Sequence, residues 1–437
     1  MTRNNLVVLS LPFQRLIRSH LSPMVLEILT KRADVIIVSP FAKHSDFVNQ
    51  YKGDRIGHAL APTLERLPWL FRKLVTVSSI LRLRGYWCRN RKRLRYYWAI
   101  RHISFGENGN DAIASLPKRA VMDILAWIGS WPRAWVLLDS LIGRWSYHML
   151  ELTALARPYD HVTLIQAASW GGQDQALAWM GRKHQWKTVL LPYTTDQLWM
   201  NGYLYSDFDA VCVQGPMERR FAQDLHEVPT AKVINLGSSY MKALEELMPV
   251  VNDKTLSPQS NKQRVMYAGV SPTYFPAECE IQAVNMLSDL DVCNGEQAPD
   301  IVYRPVLLSQ DIVDKYRHQL TAHERVELQI PSPSSLGLAS YSPTNSILDL
   351  RRLLDDLKSI DVLIASSVTS LSLEAALLGV PTIAYFPIGN AVFKKRRCDL
   401  ILDSESRVIN FKCVLAATSL EQLTDLLFKL LNNSDMR

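Results

Sequence analysis

The residues best suited to chemistry crowd into Asp361 to Pro387, DVLIASSVTSLSLEAALLGVPTIAYFP. Ser366, Ser367, Thr369 and Ser370 put small hydroxyl side chains into one short segment, and Glu374 follows about one helical turn later. Free backbone N–H groups and the positive end of a helix dipole at such a place bind a phosphate readily. A carboxylate one turn in can accept hydrogen bonds from a ribose. Upstream, Arg304 ends an apolar run, Ile301 to Tyr303. Its planar guanidinium suits either a bidentate grip on a phosphate or a pairing with a neighbouring acid. The same loop pattern would also serve an ordinary capped helix, so the complete spacing, not its parts, is the specific signal.

These residues require particular elements around them. Val362 to Ala365 suits a buried parallel strand, and the hydroxylated segment after it suits a helix N-terminus. Leu371, Leu373, Ala375, Ala376 and Leu378 give the helix an apolar face, Gly379 is its expected C-cap, and Pro381 precedes a second buried strand, Thr382 to Phe386. Strands Leu6 to Leu11 and Asp34 to Val38 flank a helix carrying Leu21, Met24, Val25 and Ile28. No G-x-G-x-x-G follows the first strand, which argues against a dinucleotide fingerprint there. Further strands are expected at Val162 to Gln166, Thr188 to Leu191, Ala210 to Val213, Lys232 to Leu236 and Arg264 to Ala268, with helices at Gln173 to His184, Met217 to Leu225, Leu348 to Ser359 and Ser419 to Asn432. The chain is therefore read as α/β, with parallel sheets.

At 437 residues and 48% hydrophobic content, the chain is large enough for two or three cored domains. Its formal charge of +7 fits anionic partners without choosing among them. Six scattered cysteines form no C-x-x-C pair and no metal-like cluster with histidine, which suits a reducing cytoplasm. No stretch approaches the ~18 uncharged apolar residues of a spanning helix. From Phe71 to Arg101 ten basic residues occur without an acid, interleaved with Tyr86, Trp87, Tyr96, Tyr97 and Trp98, and a Trp-rich helical stretch, Ala120 to Leu155, follows. This region, about 55–160, is read as a helical insertion. Arg89, Arg91, Lys92, Arg93, Trp87 and Trp98 are its expected contacts with an anionic membrane surface or acceptor. A solvated basic face with its aromatics in the core is the alternative. RNA is disfavoured, because no nucleic-acid fold motif accompanies the charge.

With Glu374 seven positions before Pro381 of a G-x-P turn and a small-residue loop ahead of it, the chain resembles nucleotide-sugar glycosyltransferases of the GT-B fold and the UDP-N-acetylglucosamine 2-epimerases, nearest to members that build bacterial surface polysaccharides. The resemblance implies two Rossmann-like domains whose parallel sheets face each other across a cleft. They would be an acceptor-side domain over 1–246, a linker over 247–263, and a nucleotide-sugar-binding domain over 264–437 whose last helix packs back on the first. By the same resemblance Ser367, Thr369 and Ser370 hold the donor diphosphate and Glu374 the ribose, while Arg304-Pro305 is similar to an R-P-H-P run, with Val306 where the histidine stands. Asp196 lies in Thr195-Asp196-Gln197-Leu198, similar to a W-D-N-L signature, and His20 matches a histidine that opens the first helix. These two are the candidate catalytic bases, in that order; a turn role for Asp196 and an exposed helical position for His20 are the plain readings.

The implied activity is metal-independent transfer of a sugar from a nucleoside diphosphate sugar, with no other cofactor, to a glycan or lipid-linked acceptor. Its expected place is the cytoplasm, peripheral to the inner face of the plasma membrane. Asp289-Leu290-Asp291 is rejected as the D-x-D of metal-dependent transferases, since no strand precedes it. Lys394 to Arg397 is read as a solvated charge run. An epimerase or hydrolase on the same scaffold and a non-catalytic GT-B-like subunit are the competing readings.

Overall fold

A computed structural model describes residues 5–12, 16–17, 20–61, 69–90, 103–104, 112–113, 116–131, 137, 150–169, 172–192, 198, 203–204, 207–238, 240–242, 244–245, 248, 263–270, 275, 277–290, 298–305, 316, 318–320, 325–329, 348–366, 370–387 and 414–432. In chain order come β1 (Asn5–Ser10), β2 (Asp34–Ser39) and β3 (Ile56–Leu60), then a short antiparallel pair, β4 (Ile103–Ser104) and β5 (Ala112–Ile113), and then β6 (His161–Gln166), β7 (Lys187–Leu190), β8 (Ala210–Val213) and β9 (Val233–Asn235). Apart from the pair, these make one seven-stranded sheet in the order β3-β2-β1-β6-β7-β8-β9, parallel throughout. Every residue of β2 and β8 is buried. Such fully buried strands, apolar through their middles, are what a parallel sheet covered on both faces demands.

Seven helices accompany this sheet among the described residues: α1 (Pro23–Arg32), α2 (Ser45–Gln50), α3 (Trp69–Arg89), α4 (Leu116–Gly129), α5 (Leu150–Ala156), α6 (Gly172–Lys183) and α7 (Pro216–His226). Ser22 caps α1, its Oγ accepting from the Val25 N–H at 3.4 Å, and Pro23 fills the first helical position, where a missing N–H costs nothing. Ile56–Leu60 departs from the expected helical insertion. It is the edge strand of the sheet, pairing with β2, and Gly57 and His58 dilute the apolar run that would have marked it.

The second unit carries β10 (Arg264–Ala268), β11 (Asp300–Arg304), β12 (Val326–Leu328), β13 (Val362–Ala365), β14 (Thr382–Tyr385) and β15 (Val414–Ala417) in a six-stranded parallel sheet, order β12-β11-β10-β13-β14-β15. Its helices are α8 (Ala277–Ser288), α9 (Leu348–Lys358), α10 (Ser370–Leu377) and α11 (Leu420–Asn432). α11 begins in a capping arrangement: Ser419 Oγ accepts from the Gln422 N–H at 3.1 Å, and Gln422 Oε1 accepts from the Thr418 N–H at 2.8 Å. Its Leu423, Leu427, Leu430 and Leu431 then recur at helical spacing and enter the core with Val362, Ile364 and Ile383.

Both sheets are doubly wound. In each, the chain lays strands outward from one central strand and then returns to build in the opposite direction, so neighbouring strands diverge at β1/β6 in the first unit and at β10/β13 in the second. At such a switch point the loops beyond the carboxyl ends part and leave a crevice, the usual ligand place in an open α/β sheet.

Candidate functional site

At the switch point of the second unit, Gly269 and Val270 leave β10 while Ser366 leaves β13. The two exits are tied together. The Ser366 N–H donates to the Ala268 carbonyl at 3.0 Å, and the Gly269 N–H to the Arg304 carbonyl at 2.9 Å. Glu280, in the first turn of α8 and fully buried, is the hub between them: Oε1 accepts from the Val270 N–H at 2.9 Å and Oε2 from the Tyr303 hydroxyl at 2.7 Å. Ser366 also hydrogen-bonds Glu280, and its Oγ lies 3.0 Å from the Tyr267 hydroxyl. A Cβ on Gly269 would overlap Glu280 Oε2, so only glycine admits the carboxyl this close to the backbone. Burial pushes the Glu280 carboxyl up to about 7, against the pull of its hydrogen bonds from Tyr303, Val270 and Ser366. The Tyr267 and Tyr303 hydroxyls are raised by the same burial and then by the Glu280 charge.

Beyond Ser366 the chain enters α10 at Ser370, which is exposed, while Ser372, Glu374 and Ala375 are buried. Glu374 stands one turn into the helix and is 3% exposed. Gly379 adopts φ +74° and closes the helix, with the Val380 N–H donating back to the Ala375 carbonyl at 2.9 Å; the C-cap expected from sequence is present. Ser367 and Thr369 lie outside the described residues. Arg304, at the end of β11, directs Nη1 to Gln329 Oε1 at 3.0 Å and Asp356 Oδ2 at 3.2 Å. This ion pair is half-buried, and burial raises the Asp356 carboxyl although the Arg304 charge opposes it. The arrangement offers a helix amino end with the exposed Ser370 hydroxyl at its start, a carboxylate one turn behind and a guanidinium at the end of β11, the strand beside β10. A phosphate diester or diphosphate linked to a ribose is the chemistry it can hold.

No protein-family model matches the chain, and no curated protein matches it in sequence. Solved structures do match in shape. A putative UDP-N-acetylglucosamine 2-epimerase from Listeria monocytogenes aligns at 12% identity over 99% of this chain and 89% of that one, with a TM-score of 0.52. A UDP co-structure of MnaA from S. aureus aligns at 10% identity over 99% and 89%, also at 0.52. Another UDP-N-acetylglucosamine 2-epimerase aligns at 13% identity over 100% and 89%, at 0.50. The chain has the GT-B fold. Its two parallel sheets match the α/β reading of the sequence.

In the first GT-B unit, His20 follows β1 and is 1% exposed. Nδ1 lies 3.1 Å from the Leu16 carbonyl and Nε2 3.1 Å from the Leu191 carbonyl, so the ring ties the segment after β1 to the end of β7. Burial holds its pKa below the ordinary imidazole value, against the raising effect of the two carbonyls. Its plain reading as an exposed helix residue is therefore corrected: both nitrogens face carbonyl oxygens within the fold. Asp196, Arg91, Lys92, Arg93 and Trp98 lie outside the described residues.

The membrane role expected for Trp87 is also corrected. The indole is 3% exposed, with the Arg84 guanidinium 5.7 Å from its ring centre, and cannot reach a lipid surface from there. Arg89 forms an ion pair with Glu227 at 2.6 Å on the surface. Neighbouring residues of α3 face inward as well. The buried Arg82 donates to the Ser169 and Tyr203 carbonyls, and the Tyr86 hydroxyl donates to the Leu198 carbonyl at 3.0 Å while its ring stacks on His226. Much of the basic and aromatic character read as a surface is thus the fastening of α3 to its own unit. Glu280 was missed from sequence, because an acid in a helix's first turn is common and its tyrosine partners come from other strands.

Proposed function

We propose that the protein is a glycosyltransferase that moves a sugar from a nucleoside diphosphate sugar to a cell-surface glycan or glycolipid acceptor at the cytoplasmic face of a membrane, without a metal ion. The observation that carries this reading is the β10/β13 switch point, where Glu280 straps the Val270 and Ser366 exits beside the amino end of α10. On this reading the diphosphate lies against Ser367, Thr369 and Ser370, Glu374 holds the ribose hydroxyls, and Arg304 adds positive charge from the next strand. As the bond between the anomeric carbon and the diphosphate oxygen breaks, negative charge grows on the leaving group, and N–H donors and a guanidinium fixed in place stabilise that charge most. The acceptor oxygen bonds to the anomeric carbon and loses its proton to a base, for which Asp196 is proposed.

The solved structures that share the fold are named for UDP or for UDP-N-acetylglucosamine 2-epimerisation, which supports a UDP-linked donor and gives the second reading, 2-epimerisation on the same scaffold. Two measurements test these readings. Isothermal titration with UDP should show binding, weakened about 10- to 100-fold by Glu374→Gln if one or two hydrogen bonds to a charged group are lost. Proton NMR of UDP-N-acetylglucosamine incubated with the protein alone then separates the two activities: appearance of the 2-epimer supports the second reading and overturns transfer as the principal one. Absence of any nucleoside diphosphate binding overturns both.

A further inference from the structure

The most apolar exposed surface among the described residues belongs to α4 and the first turns of α3. On α4 and two residues past its end, Val121, Ile124, Trp127 and Trp131 follow at helical spacing and are each 55–57% exposed, and the Trp127 and Trp131 rings lie 4.8 Å apart. The opposite face of the helix, at Ala126 and Gly129, is buried against α3, where Gly85 and Gly129 let the two backbones touch. The outward stripe is therefore not a core face left open by poor packing. At the start of α3, Trp69 and Leu70 are 65% and 57% exposed, and Lys73 extends its ammonium 6.0 Å from the Trp69 ring centre.

Along the sequence, the charge near these residues is one-sided. Asp123 is the only acid between Ala112 and Leu138, against Lys118, Arg119 and Arg133, and Arg72 and Lys73 flank the exposed residues of α3. No described helix is long and apolar enough to cross a membrane.

We infer that this face docks on an anionic phospholipid surface, α4 lying in the interface with its indoles at headgroup depth and the basic residues reaching lipid phosphates. A row of valine, isoleucine and two tryptophans offers no hydrogen-bond donors beyond the indole N–H groups, so it suits acyl chains and glycerol better than a phosphodiester backbone, and clustered cations select the anionic lipid. The inference rests on the proposed function only for the acceptor's place at a membrane, and it relocates the contact from Trp87 and Arg89 to α4.

Flotation of the full chain with vesicles of equimolar phosphatidylcholine and phosphatidylglycerol tests it, with pure phosphatidylcholine vesicles beside them. The wild-type chain should float with the anionic vesicles and far less with the neutral ones. Ile124→Ser/Trp127→Ser/Trp131→Ser should lose at least about tenfold in vesicle affinity, as removal of an interfacial apolar face requires. These side chains are more than half exposed, so the variant should keep its circular dichroism and UDP titration, and Trp127→Ser alone gives a milder second variant. Glu374→Gln should float as the wild type does, which separates failure of this inference from failure of the nucleotide site. Full flotation by the triple variant overturns the inference. So does a wild-type chain that ignores vesicles and instead forms a dimer that the triple variant dissociates.

Discussion

A fully buried carboxyl ionises reluctantly, and Glu280 is in that position at the β10/β13 switch point, although hydrogen bonds from Tyr303, Val270 and Ser366 favour its charged form. Its carboxyl moves from an ordinary 4.5 to about 7, so between those values the folded chain keeps a proton that the unfolded chain has released. The stability due to that proton is complete below pH 4.5 and disappears as pH rises through about 7, amounting to roughly 3 kcal/mol. Glu280→Gln should therefore flatten the pH dependence and leave the second unit more stable than wild type at pH 8, as read by urea midpoints from pH 5 to 8. Equal slopes for the two chains would contradict this. Glu280→Ala should act differently: it leaves the Val270 N–H and the Tyr303 hydroxyl without their acceptor and should weaken UDP binding by loosening the loop, an effect the glutamine variant largely rescues. Glu374, by contrast, was visible in the sequence, because its distance from Gly379 and Pro381 is fixed by the helix itself. Glu280 was not, since its significance comes from side chains 23 and 86 positions away that only the sheet brings to it.

Among the elements, the strands that read best from sequence are those buried on both sides. β8, β10 and β13 occur over the very residues that the apolar runs indicated. β3, β12 and β15 escaped, being short edge or near-edge strands in which Gly57, His58 and Glu327 break the run or small alanines blur it. α10 depends on a left-handed residue at its end. Gly379→Ala forces a Cβ onto φ +74° and should cost about 1 kcal/mol, seen as a lower thermal midpoint with UDP binding nearly unchanged. α3 misled for a different reason, since basic and aromatic residues are the same letters whether they face lipid or fasten a helix. Arg82 is the sharpest case, a buried guanidinium satisfying two loop carbonyls. Arg82→Ala strands those carbonyls and should destabilise the first unit by about 2–4 kcal/mol, measured by thermal unfolding. No loss would mean that α3 is held by its apolar contacts alone.

At the scale of the whole molecule, two doubly wound sheets each contain a switch point, and the proposed diphosphate site is at the second. The parallel α/β sheets were legible because alternation of strand and helix along the chain is a strong signal, while the GT-B arrangement was implied by the resemblance carried by Glu374, Gly379 and Pro381. What sequence could not give was the surface: exposure of α4 depends on which face the α3 packing consumes, and that choice is made in three dimensions. The central claim concerns one crevice. A crystal of the protein soaked with UDP tests it most directly: the account predicts the diphosphate at the amino end of α10, between the Val270 and Ser366 exits, with the ribose hydroxyls on Glu374. UDP seated elsewhere, with that crevice filled by the protein's own side chains, would contradict it.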